Sequence, residues 1–153
     1  SVCGSEKGGG SAVGNTIKLS AFLIAATVVP AEAQSDMLTG QRLYEENCAS
    51  CHGANLEGQP DWRSRLPNGR LPAPPHDASG HTWHHTDRVL LDIVKRGTAA
   101  IVGNGYESDM PGFKEVLTDE EITAIIDYIK STWPDRIRAS QESRTLADEQ
   151  VQP

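Results

Sequence analysis

The sequence predicts an all-α fold. Residues of one face recur at helical spacing in three separate segments, capping residues open two of them, and no stretch alternates in the manner of a strand. Two long loops rich in proline and glycine join them. With 153 residues the chain has room for one domain.

Its charge is 14 Lys and Arg against 21 Asp and Glu, a formal −7. That balance argues against nucleic-acid binding and for partners with basic surfaces. Hydrophobic residues make up 37% of the chain and aromatics 5%. Small domains with so lean a core need a disulfide, a metal or a large apolar cofactor to fold.

Taken in order, residues 1–33 read as upstream sequence and an export signal. A Gly/Ser-rich stretch, Ser1 to Thr16, is set outside the fold, and Cys3 within it is incidental. Lys18 then precedes an apolar run from Leu19 to Val29, and Ala31-Glu32-Ala33 has the small-x-small form of a cleavage site before Gln34. The run is short of the roughly 20 apolar residues of a membrane span, so an uncleaved anchor is the lesser alternative. Removing Glu6, Lys7, Lys18 and Glu32 leaves the net charge unchanged.

Residues 34–134 form the expected domain. Its first helix runs from Asp36 to about Ala49, with Gly40, Tyr44, Cys48 and Cys51 on one face. Gly53 to His85 holds five prolines and no sustained period, a loop long enough to be wrapped around something. Thr86 or Asp87 caps a middle helix with an apolar stripe of Val89, Leu90, Ile93 and Val94; Lys95, Arg96 and Gly97 close it. Thr98 to Phe113 is again loop. Thr118 and Glu121 make a capping box for a last helix carrying Ile122, Ile125, Ile126, Ile129 and Trp133, and Pro134 ends it. Residues 135–153 are polar and aperiodic, which predicts a mobile tail.

Cys48-Ala49-Ser50-Cys51-His52 is a C-x-x-C-H motif, the signature of covalent haem c attachment. Two cysteines three apart at a helix end reach two vinyl positions on one porphyrin edge. The adjacent His52 then falls under the iron. Chance gives such a motif in about two of a thousand chains of this composition, which sets accident aside. The other uses of the pair are a disulfide, a thioredoxin-like couple or half a zinc site. A redox couple wants a βαβ setting, and zinc wants more thiols than the chain offers.

For the second axial position there are two methionines. Met37 sits too near His52's own side of the ring to cross it. Met110 lies in Glu107-Ser108-Asp109-Met110-Pro111-Gly112-Phe113, where the proline fixes the backbone and Phe113 closes the pocket. A soft thioether favours Fe(II), so His52/Met110 ligation raises the reduction potential. The plainer use of Met110 is as loop filler.

From about Asp36 to Trp133 the chain resembles a class I c-type cytochrome of the small bacterial monohaem kind. The resemblance is carried by Gly40-x-x-x-Tyr44 before C-x-x-C-H-Gly, by Asn55-Leu56-x-Gly58, by Met110-Pro111-x-Phe113, and by Thr118-Asp119-Glu120-Glu121 opening a helix with Tyr128-Ile129. It implies three to five helices wrapped around one covalently bound haem c and its iron. It implies that the first and last helices cross with Gly40 and Tyr44 against Tyr128. It also implies a proline carbonyl accepting the axial histidine N–H, with Pro72, Pro74 and Pro75 the candidates and Pro74 the favourite.

Four of the five histidines, His76, His81, His84 and His85, lie in one stretch. The bland expectation is a loop whose Trp83 covers the haem edge and whose histidines bond backbone or propionates. The sharper one is a second metal site that handles copper, or a histidine competing for the iron. With both axial positions filled, the expected function is a periplasmic electron carrier and not an enzyme. Its expected partners are a respiratory oxidase or a periplasmic dehydrogenase with a basic docking surface. The rival is a five-coordinate haem protein that binds small ligands or peroxide.

Overall fold

A computed structural model describes residues 31–151, so the apolar run Leu19–Val29 and everything before it lie outside the described residues. The elements are α1 (Ala31–Asn47), α2 (Ala49–His52), a 3₁₀ turn (Thr82–His84), α3 (Asp87–Arg96), α4 (Thr98–Val102), α5 (Asp119–Ser131) and α6 (Asp135–Val151). Among the described residues there is no strand, as expected, and no helix long and apolar enough to cross a membrane.

α1 starts earlier than expected, and its backbone runs through the anticipated cleavage point. At Cys48 the helix breaks and resumes as α2, with the Cys48 N–H still bonded to Tyr44 O at 2.8 Å. α1 and α5 cross at a glycine. A Cβ on Gly40 would stand 2.7 Å from the Ala124 carbonyl carbon and 3.1 Å from Tyr128 Cβ. With no side chain there, the two backbones close up and Tyr44 meets Tyr128 at 5.6 Å between ring centres. Tyr44 is fully buried, and its hydroxyl donates to Gly53 O at 2.8 Å.

Both expected caps form. Thr86 caps α3 by accepting from Val89 N, and the reciprocal Thr118–Glu121 box opens α5. On α5, Ile122, Ile125, Ile126 and Ile129 are all buried. Thr98 to Phe113, expected as loop throughout, contains the short α4, which spans five residues and is too brief to show a period.

The larger correction is at the C-terminus. Residues 135–151 are helix, not a mobile tail. Pro134 stops α5 and also opens α6, its carbonyl accepting from Ile137 N at 2.9 Å. The inward face of α6 is mostly polar. Gln141 is fully buried and donates to Asp87 Oδ1 at 2.6 Å and His85 O at 3.2 Å. Thr145 accepts from Asp87 N, and Asp148 accepts two bonds from Arg88 at 2.8 and 2.9 Å. Asp87 is also held by Lys130 of α5 at 2.7 Å.

Two results follow for α6. Gln141→Ala removes the hydrogen bonds to the half-buried Asp87 carboxylate, which keeps Lys130, and to the His85 carbonyl, so stability falls by about 0.5–1.5 kcal/mol in urea unfolding while the visible spectrum is unchanged. A loss below a few tenths of a kcal/mol would mean that the helix rests on the domain without anchoring to it. The Arg88 hydrogen bond holds the Asp148 carboxyl below its ordinary range. A folded value below the unfolded one means the contact contributes at pH above the ordinary carboxylate range and is lost as the pH falls through the depressed value. α6 amides therefore exchange hydrogen faster in acid, relative to those of α5, than they do near neutrality.

Candidate functional site

His52 is gripped by its backbone and its ring. The Gly58 N–H donates to His52 O at 2.7 Å, and His52 Nδ1–H donates to Pro74 O at 2.8 Å. Gly58 also places that carbonyl. It sits at φ +68, where only glycine is relaxed, and a Cβ there would lie 2.7 Å from the Pro74 carbonyl carbon. Of the three candidate prolines, Pro74 is the one that bonds the ring. With Nδ1–H committed, Nε2 keeps its lone pair. Burial lowers the His52 pKa, an effect the Pro74 bond partly offsets. A neutral imidazole is the form a metal takes.

The two thiols are not joined as a disulfide. Cys51 is exposed and Cys48 half-buried, its thiol pushed up to about 11 by burial and then by Cys51. Met110 is set by its loop: its N–H donates to Ser108 Oγ at 3.1 Å, and the following Phe113 N–H donates to Val94 O at 2.9 Å.

Cys48, Cys51, His52 and Met110 all border one cavity of about 660 Å³. Its size is in the range of cofactor sites, about 300–1,000 Å³. The expected apolar stripe of α3 forms one wall, as Val89, Leu90, Ile93 and Val94 all border it. Ile125, Ile126 and Ile129 of α5 and Trp133 just beyond it also line the cavity, and Phe113 borders it as expected. So broad an apolar space in a lean domain is what a flat, mostly apolar group needs. The donor set beside it (two thiols, an oriented neutral imidazole and a thioether) is the set that a covalently attached iron porphyrin uses.

The histidine stretch does not act as one site. His76 stacks on His52, ring centres 4.0 Å apart, and bonds Thr82 Oγ1 through Nδ1 at 2.8 Å. Burial, then His52 and His81, lower its pKa well below the ordinary value, so it stays neutral. His84 stacks on Trp83 at 3.8 Å. His81 lies between Trp62 and His85, 5.5 Å from each. Among the described residues no three His, Cys, Asp or Glu side chains are grouped so that they could hold a metal ion. Trp83, expected over the haem edge, packs against the core instead, and Trp62 borders the cavity with His81 and His85. Trp62 lies in the aperiodic part of the long loop, where sequence offers no signal for which aromatic turns inward.

The profile of the cytochrome c family matches residues 37–133, well over half of the chain. Cytochrome c-555 of Prosthecochloris aestuarii is 45% identical over 106 residues, covering 63% of this chain and 87% of that protein. A nitrite reductase of Stutzerimonas stutzeri is 24% identical over 122 residues, 76% of this chain but 19% of that much longer protein. No solved structure matches the chain. The pocket's donor chemistry and these relationships agree: the chain belongs to the cytochrome c family, has its class I all-α fold, and carries a covalently bound haem c with its iron.

Proposed function

We propose that the protein is an exported electron carrier, with haem c attached at Cys48 and Cys51 and its iron ligated by His52 and Met110. The observation that carries this reading is the convergence of those four side chains on one apolar cavity. The bound haem supplies a one-electron Fe(III)/Fe(II) couple. The chain supplies the rest. Pro74 O holds the His52 ring and leaves Nε2 available to the iron, and the soft Met110 sulfur would favour the reduced ion. The aliphatic walls from α3 and α5 keep water from the pocket. With both axial positions filled by side chains there is no place for a substrate, so the protein is a carrier and not an enzyme.

The acidic surface supports transient docking to a respiratory oxidase or a periplasmic dehydrogenase through basic patches. The periplasmic location rests on the Leu19–Val29 run and the Ala31-Glu32-Ala33 site. Oxidation of the reduced protein by the cation tris(phenanthroline)cobalt(III) tests the carrier role and the acidic docking face. The expected course is one phase, unaffected by carbon monoxide and slowed as salt is raised. Slowing by carbon monoxide would contradict the carrier role, and a rate indifferent to salt would contradict the acidic docking face.

A further inference from the structure

The Met110 loop lies backbone to backbone against the end of α3. Phe113 N–H donates to Val94 O at 2.9 Å and Lys114 N–H to Lys95 O at 3.2 Å. Two glycines permit the approach. A Cβ on Gly97 would lie 2.9 Å from Gly112 N and 3.0 Å from the Pro111 carbonyl carbon. A Cβ on Gly112 would lie 2.8 Å from Arg96 C and from Lys95 O. Gly97 is at φ +82, and the chain leaves it directly into α4, whose first residue is Thr98.

This register sets the Thr98 hydroxyl 3.3 Å from Met110 Sδ. The sulfur has no hydrogen to give, so the hydroxyl donates. The Thr98 hydroxyl makes no other hydrogen bond among the described residues, so its one proton is not shared with a stronger oxygen acceptor. Both residues border the cavity.

We propose that Thr98 is a positioning residue for the Met110 sulfur and sets the balance between Fe(III) and Fe(II). The inference rests on Met110 being the axial ligand. A thioether sulfur has two lone pairs: with Thr98 engaging one, the other would be left to bind the iron. The positive end of the O–H dipole beside the sulfur favours the state with more electron density there, which is the reduced one. The exchange is one electron to or from a redox partner, with no bond made or broken in Thr98 and no proton released.

The test compares the holoprotein with Thr98→Val, which keeps the shape and removes the hydroxyl, and Thr98→Ser, which keeps the hydroxyl. Loss of one neutral hydrogen bond shifts the equilibrium toward Fe(III) by about three- to tenfold in the valine variant. At about 59 mV per tenfold for one electron, the midpoint falls by about 30–60 mV. The weak red sulfur-to-iron band of the oxidised protein moves in the valine variant, and serine restores both potential and band. A valine variant with unaltered potential and band, whatever its thermal stability, overturns the proposal. A missing red band in the unsubstituted protein overturns the Met110 assignment itself and this inference with it, so the two failures are distinguishable.

Discussion

Met110→Ala opens the iron. The red band of the oxidised protein disappears, the reduced protein binds carbon monoxide where the unsubstituted protein refuses it, and the midpoint potential falls. The expectation follows from the pocket's inventory. Met110 is the thioether that borders the cavity, whereas Met37 lies on α1 and does not. Removing a soft ligand that favours Fe(II) lowers the potential. His81 and His85 also border the cavity, and burial lowers the pKa of each. A variant that is low-spin and refuses carbon monoxide, yet has lost the red band, identifies one of these histidines as a replacement ligand. Retention of the band after the substitution contradicts the assignment of Met110.

Gly40→Val produces the largest loss of stability at a single position away from the cofactor. Any side chain at Gly40 meets the Ala124 carbonyl, which is helix backbone and has no rotamer to yield. α1 and α5 must separate, and that disturbs the Tyr44–Tyr128 contact and the Tyr44 hydrogen bond to Gly53 just beyond the histidine. Overpacking of this kind costs about 3 kcal/mol or more. The urea midpoint then falls by about 1–3 M, given slopes of about 1–3 kcal/mol/M. A midpoint within a few tenths of a molar of the unsubstituted protein would show that the helices can part without consequence and that the crossing is not what holds the domain.

The parts of the structure legible in the sequence are those where chemistry and periodicity coincide. α5 announces itself through its capping box and its isoleucine repeat, and α3 through Thr86 and its apolar stripe. The attachment motif is local, since three residues at fixed spacing need no knowledge of the fold. The resemblance to a known family supplied the Gly40 crossing and the proline carbonyl, which no periodicity would have given. α6 carries no hydrophobic signal because its inward face is built from Ile137, Gln141, Thr145 and Asp148, a helical spacing carried largely by polar groups. A hydrophobic pattern cannot reveal a helix held by hydrogen bonds and an ion pair. Trp83 was misplaced for a related reason. In a loop without a period, the direction of a side chain is decided by distant partners, and here Trp62 rather than Trp83 turns toward the cavity. The α3 stripe is legible as apolar, but what it faces is not; its partner is the cofactor space.

The central claim is that one cavity brings a histidine and a methionine to the same iron in a haem fixed by two cysteines. The optical spectrum of the protein, produced in a periplasm that matures c-type cytochromes, tests it most directly. The account predicts a low-spin spectrum, haem that stays with the chain after denaturation, the weak red sulfur-to-iron band in the oxidised state, and no change on adding carbon monoxide to the reduced state. A high-spin spectrum with ready carbon monoxide binding would contradict it and leave a protein with open iron, suited to ligand binding or peroxide chemistry.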